Sequence, residues 1–329
     1  MEEVMRLGKL IAGIALAASF ALPASAAEIT MKFGHVGAPG SLFDATANEF
    51  ARRVNEQMAG KVKIEVFGSS QLGKDKELLQ KLKLGTVDFS LPSSVMTSVV
   101  DEFGLFDMPY LVKDRAHMGR IEKEIFWNKL APLVEAKGYK IIALWENGFR
   151  HITNNVRPIN VPGDLDGIKL RTPKGKWRVK MFQAYGANPT PLAFSEVFVA
   201  LQTGVMDGQE NPFANIYSAK FNEVQKYLSL TGHVYTPGYA LVGKKKWDSL
   251  PADIRDELEK IAKDTQGFVY EHAAKLETDL LAKLKAGGMA INEADKAAFV
   301  KASASIYEQF GSDVDGGKAL VDQALGLAN

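Results

Sequence analysis

The segment Gly167–Ile216 reads GIKLRTPKGKWRVKMFQAYGANPTPLAFSEVFVALQTGVMDGQENPFANI. A short apolar strand (Ile168, Leu170) ends on Arg171, Thr172-Pro173 leads into a helix, and the segment closes on the polar run Asp207-Gly208-Gln209-Glu210-Asn211-Pro212. Strand followed by helix is the unit of an α/β sheet, and an arginine at the carboxyl end of such a strand lies where open α/β sheets bind ligands. Its guanidinium can grip a carboxylate through two parallel hydrogen bonds, and the free N–H groups of the next helix add positive potential. The predicted target is a small organic anion with Arg171 as its main contact. The competing reading of Arg171 taken alone is a surface arginine paired with a nearby acid.

Four ordered motifs extend this reading: GFR at 148–150, LRTP at 170–173, GANPTPLAFSEVFVALQTG at 186–204 and DGQENP at 207–212. Together they resemble the DctP-type solute-binding proteins of tripartite ATP-independent periplasmic (TRAP) transporters, over nearly all of the chain behind its leader. The resemblance implies an α/β, two-lobed periplasmic binding protein fold with a hinge and a long helix spanning both lobes. It also implies a carboxylate clamp at Arg171, a second ligand contact at Arg150, a third at Asn211 and an aromatic wall at Phe194. Delivery to TRAP membrane subunits follows from the same likeness. From residue chemistry alone, Asn211 can both donate and accept hydrogen bonds, whereas Asn211-Pro212 could equally form a plain turn.

Toward the amino terminus, Arg6 and Lys9 precede an apolar run from Leu10 to Leu22, then Pro23 and the small residues Ala24-Ser25-Ala26. This reads as a secretory signal peptide over 1–27, too short in its apolar core to span a membrane, with cleavage after Ala26 or Ala27 and export to the periplasm. Glu2 and Glu3 are unusual in such a leader, and translation from Met5 gives a more regular one. The remaining chain of about 300 residues exceeds one ordinary core, so two lobes are expected: 28–148 with 237–277, and 149–236 with 278–329.

Ile29 to His35 alternates as a strand, and Phe43, Ala47, Phe50, Ala51, Val54 and Met58 form the apolar stripe of a following helix. His35, at the strand end, is a weak ligand candidate. Lys61 to Phe67 is a second strand before Gly68-Ser69-Ser70-Gln71-Leu72-Gly73-Lys74-Asp75, nearly a phosphate-binding loop. Such a loop needs Ser or Thr where Asp75 stands, so nucleotide binding is not expected. Asp75 reads as the N-cap of a helix to Leu84, and Gln71 stays in the candidate site set. Thr86 to Leu91 reads as the next strand. The spacing Leu82-x-x-Gly85-x-x-Asp88 recurs as Leu201-x-x-Gly204-x-x-Asp207, suggesting an internal duplication.

Tyr139 to Trp145 is an apolar strand that continues through Gly148, a joint suited to carrying the chain between lobes with Arg150 facing the cleft. A second crossing is expected near Tyr235 to Gly238. Trp177, in the helix after Arg171, can stack on a ligand or simply fill the core. Asp164-x-Asp166-Gly167 imitates a calcium loop but has Gly175 at its twelfth position; a turn suffices and no metal is expected. Asp253 to Ala286 is helical for far longer than an ordinary helix, with Gly267 interrupting it.

Composition removes several function classes. The chain has 40 basic and 39 acidic residues, so no basic surface argues for nucleic acid. Cysteine is absent, which excludes disulfides, thiolate metal sites and cysteine nucleophiles. No cofactor is called for, and a monomer is expected. Two alternatives to a binding protein remain: a periplasmic enzyme acting on an organic acid with His35 or His151 as base, and a ligand-sensing module for a receptor.

Overall fold

A computed structural model describes residues 28–328; the leader expected over 1–27 lies outside them. The elements follow in the order β1 (Ile29–Gly34), α1 (Leu42–Gln57), β2 (Val62–Phe67), α2 (Asp75–Leu84), β3 (Phe89–Ser90), α3 (Arg115–Ile121), α4 (Ala131–Ala136) and β4 (Tyr139–Asn154). Next come β5 (Lys169–Thr172), α5 (Lys176–Ala184), β6 (Asn188–Pro191), α6 (Val197–Gln202), β7 (Gly208–Asn211), α7 (Phe213–Ser218) and β8 (Tyr227–Gly243). The chain finishes with α8 (Lys244–Asp248), α9 (Ala252–Ala286), β9 (Ala290–Glu293), α10 (Lys296–Ala302), α11 (Ala304–Asp313) and α12 (Gly317–Gly326).

One sheet carries all nine strands in the order β2-β1-β3-β8-β4-β7-β5-β6, with β9 on the far end of β8. Two short parallel half-sheets, β2-β1-β3 and β7-β5-β6, are joined by the long antiparallel pair β4 and β8. The two-lobed α/β expectation thus takes the form of half-sheets sharing two crossing strands. The β4–β8 ladder slips between Glu146 and Gly148, where Gly148 takes φ 115°, a left-handed value only glycine adopts readily.

Local sequence explains the elements. Ser41 caps α1 by accepting from the Asp44 N–H, and the expected stripe Phe43, Ala47, Phe50, Ala51 and Val54 is buried. The π-helical stretch Glu122–Leu130 lies between α3 and α4, so residues 115–136 form one continuous helical segment. The long helix α9 has 35 residues and passes through Gly267 unbroken, where the sequence reading expected an interruption. At about 1.5 Å per residue it is long enough to pack on α1 in the first half and α7 in the second. The strand expected over Thr86 to Leu91 shrinks to Phe89–Ser90, since Thr86 and Val87 hydrogen-bond back to the Lys81 carbonyl at the end of α2. Among the described residues no helix is long and apolar enough to cross a membrane.

Candidate functional site

A cavity of about 120 Å³ lies between the half-sheets. Arg171 at the end of β5, Asn211 at the end of β7, Phe194 and the β4 residue Arg150 line it from the second half; Asp75 at the start of α2 and Ser94 after β3 line it from the first. Four residues singled out in the sequence therefore meet here, from segments well separated along the chain.

Arg150 and Arg171 differ in their partners. The Arg150 Nε and Nη2 donate to the two Glu210 carboxylate oxygens at 2.5 and 2.9 Å, and Nη2 also donates to the Glu210 carbonyl at 2.6 Å. Glu210 further accepts from Arg178 Nη1 at 2.7 Å and contacts His233 Nε2 at 3.1 Å, while Arg178 Nη2 donates to Asp107 Oδ1 at 2.6 Å. Two arginines thus face two acids in a fully covered cluster of zero net charge. Burial alone would raise the Glu210 pKa, but the Arg150 and Arg178 charges outweigh it and hold the carboxyl well below its usual range.

Arg171 has no such acid. Its Nε and Nη2 donate to the Leu192 carbonyl at 3.0 and 2.7 Å, and among the described residues its Nη1 has no partner and no carboxylate forms an ion pair with it. The residue is only 3% exposed. Burial lowers its pKa to about 10, against the more distant charge of Glu210. A covered cation lacking a counter-ion is costly, and an anion entering the cavity removes that cost.

Asp75 was not foreseen in the site. The sequence reading made it an N-cap, but α2 begins at Asp75 itself with Lys74 in the cap position, and Glu77 Oε2 accepts the Lys74 N–H at 3.0 Å instead. Asp75 is only partly covered as a residue, yet burial of its carboxyl raises the pKa to about 6, opposed by Arg171 and Lys174. Beside the cavity, Lys74 Nζ donates to Glu196 Oε1 at 2.6 Å, linking the halves.

The other three candidates stand apart from the cavity lining. Trp177 is fully buried, packed edge-on against Phe310 with ring centroids 5.0 Å apart. A Cβ at Gly104 would fall 2.2 Å from its ring, so the indole is core packing rather than a stacking surface. His35 is 1% exposed beneath Gly68, with burial lowering its pKa to about 4. Gln71 is exposed in the loop before α2. His151, the other base in the enzyme alternative, is stacked on Phe213 at 4.3 Å and accepts from the Gly232 N–H at 3.2 Å; it too is absent from the lining.

The buried acids and base Glu210, Asp107 and Arg178 escaped sequence reasoning. Glu210 lies inside the quoted DGQENP run, which is the one signal that could have found it; Asp107 and Arg178 meet it only in the folded chain.

Comparison with known proteins bears on this geometry. The model of bacterial extracellular solute-binding proteins, family 7, matches residues 33–313. The C4-dicarboxylate-binding periplasmic protein DctP of Rhodobacter capsulatus is 38% identical over 285 residues, 86% of this chain and 85% of that protein. A TRAP periplasmic solute-binding protein from Sulfurospirillum deleyianum, solved with bound succinate, superposes with TM-score 0.87 at 36% identity, covering 92% of this chain and 99% of that one. A sugar acid binding protein from Advenella mimigardefordensis in complex with galactonate gives TM-score 0.88 at 34% identity, covering 92% and 98%.

Proposed function

This chain belongs to the bacterial extracellular solute-binding proteins of family 7, and from that premise we propose that it captures a small organic carboxylate between its half-sheets for TRAP membrane subunits. The observation that carries the reading is the covered, unpaired Arg171 facing the cavity with a free Nη1. Arg150, neutralised and fixed by Glu210, acts as a rigid N–H donor beside it, with Asn211 and Phe194 completing the wall. The lobes, 28–148 with 237–277 and 149–236 with 278–329, close by rotation about the slipped ladder at Gly148 and its β8 partners. The protein is exported behind its cleaved leader, works as a monomer, and releases its ligand unchanged.

The test is calorimetric titration with the acid identified by mass spectrometry of the purified protein. Arg171→Ala removes the only unpaired guanidinium in the site and should weaken binding by about 2–4 kcal/mol, roughly 30- to 1000-fold. Arg171→Lys keeps the charge without the planar fork, so most of the loss should persist. Because Arg171 is covered and unpaired even without ligand, the ligand-free melting temperature should hold or rise in Arg171→Ala. Unchanged affinity would remove Arg171 from the site.

A further inference from the structure

Resting on the reading of Arg171 as the carboxylate clamp, we infer that the ligand is a hydroxylated monocarboxylate of four or five carbons, and that Asp75 selects it over a dicarboxylate by accepting a ligand hydroxyl. Three observations carry this: the groups left without partners in the cavity, the acid Asp75 on its first-half wall, and its size.

Besides the lysines at its mouth, four side-chain groups of the cavity lack a side-chain partner among the described residues and bear on the ligand: two donors and two acceptors. The donors are Nη1 of Arg171 and Nη1 of Arg150, both on the second half. The acceptors are the Asp75 carboxylate, which has neither a side-chain hydrogen bond nor an ion pair, and Oδ1 of Asn215. The Asn215 amide nitrogen is committed to Asn147 Oδ1 and Asn211 Oδ1 at 3.1 Å each. Carboxylate oxygens satisfy the donors. Only groups carrying a hydrogen satisfy the acceptors, and a hydroxyl is a neutral group that both donates and accepts. A second carboxylate at the Asp75 end brings like charges together, so one of the pair must take up a proton at a cost at neutral pH.

Lys74 is paired with Glu196, and the Lys174 charge acts on both Asp75 and Glu196. Of the other lysines at the wall, Lys76 is exposed and Lys174 half-buried, and neither forms an ion pair among the described residues. Burial raises the Asp75 pKa, opposed by Arg171, a backbone hydrogen bond and Lys174. Size narrows the class further, because one water-sized occupant needs roughly 10–15 Å³ by the measure that gives this cavity about 120 Å³. On the order of ten non-hydrogen atoms therefore fit, which matches a four- or five-carbon hydroxy acid.

Titration calorimetry with two four-carbon acids, succinate and erythronate (2,3,4-trihydroxybutanoate), tests the inference at neutral pH on wild type, Asp75→Asn and Arg171→Ala. Erythronate should bind wild type at least about tenfold more tightly than succinate, the scale of one hydrogen bond to a charged group. Asp75→Asn should weaken erythronate and strengthen succinate, shrinking the ratio toward one, while thermal melts report whether the variant folds. Should Asp75→Asn fail to fold, Asp75→Ser carries the same comparison. Succinate binding wild type as tightly as erythronate, or a ratio unmoved by replacing Asp75, overturns the inference. If Arg171→Ala still abolishes binding of both acids in that case, the carboxylate clamp stands and only the selectivity fails. Binding of neither acid to wild type overturns the four-carbon assignment, and affinities indifferent to Arg171→Ala overturn the clamp with it.

Discussion

The half-sheet β2-β1-β3 beside β8 and the half-sheet β6-β5-β7 beside β4 are one arrangement approached from opposite edges. The recurring Leu-x-x-Gly-x-x-Asp pattern marks the match. Gly85 and Gly204 both take φ 72° after a helix. Asp88 then accepts the Lys32 N–H at 2.7 Å and donates its own to the Lys32 carbonyl at 3.0 Å, while Asp207 does the same with Lys169 at 2.9 and 2.9 Å. In this register Gly34 occupies the place of Arg171, and Leu91-Pro92 occupy that of Glu210-Asn211. A side chain at Gly34 would begin 2.8 Å from the Leu78 side chain, leaving no room for a clamp. Both halves share a frame, but the second alone carries arginines at the cavity, Arg171 unpaired near the end of β5 and Arg150 paired within β4. The first contributes a helix start with an acid, Asp75.

The largest expected effect separates the halves energetically. Glu210→Gln leaves Arg150 and Arg178 covered and opposed by Asp107 alone, so denaturant melts should show a loss of about 3–5 kcal/mol. A loss below about 1 kcal/mol would mean that water or rearrangement compensates the cluster, and the half would not be organised around it.

Acid comes next. The second half buries His151 and His233, with pKa values lowered by burial to about 3 and about 4 from 6.5, and the first buries His35, lowered to about 4. Below pH 6.5 the unfolded chain takes up these protons and the folded chain does not, so stability present above that pH is lost as pH falls toward 4. At pH 5 each histidine costs roughly 2 kcal/mol at 1.36 kcal/mol per unit. Hydrogen exchange at pH 5 should show β5 to β7 losing protection before β1 to β3; simultaneous loss would mean that the halves unfold as one.

Smaller and more symmetrical are Asp88→Ala and Asp207→Ala. Each removes the side-chain half of the same clasp, so each should cost about 1–3 kcal/mol in thermal melts, Asp88→Ala somewhat more because it also removes the buried partner of Lys246. Strongly unequal costs would break the equivalence of the halves.

Much of this was legible in the sequence. The strand carrying Arg171 and the joint at Gly148 announce themselves by local pattern, while Asn211, Arg150 and Phe194 were named through the family likeness, and all four residues meet at the cavity. Trp177 misled because helical spacing does not say which face a single indole takes, and Phe310, its partner, is 133 residues away. Asp75 misled because an acid before a helix usually caps it; its direction here follows from Glu77 supplying the cap and from the second half closing over it. The Glu210–Arg178–Asp107 cluster exists only through packing of β7, α5 and the 3-10 helix Asp101–Asp107, which no local window contains.

The central claim is that anion chemistry resides on one of two matching halves. A crystal structure of the protein holding its organic acid tests it most directly. The account predicts the ligand carboxylate about 3 Å from Arg171 Nη1, with the Arg150–Glu210 pair intact beside it. A carboxylate seated instead on the first half, against the start of α2, with Arg171 still bound only to Leu192, would contradict it.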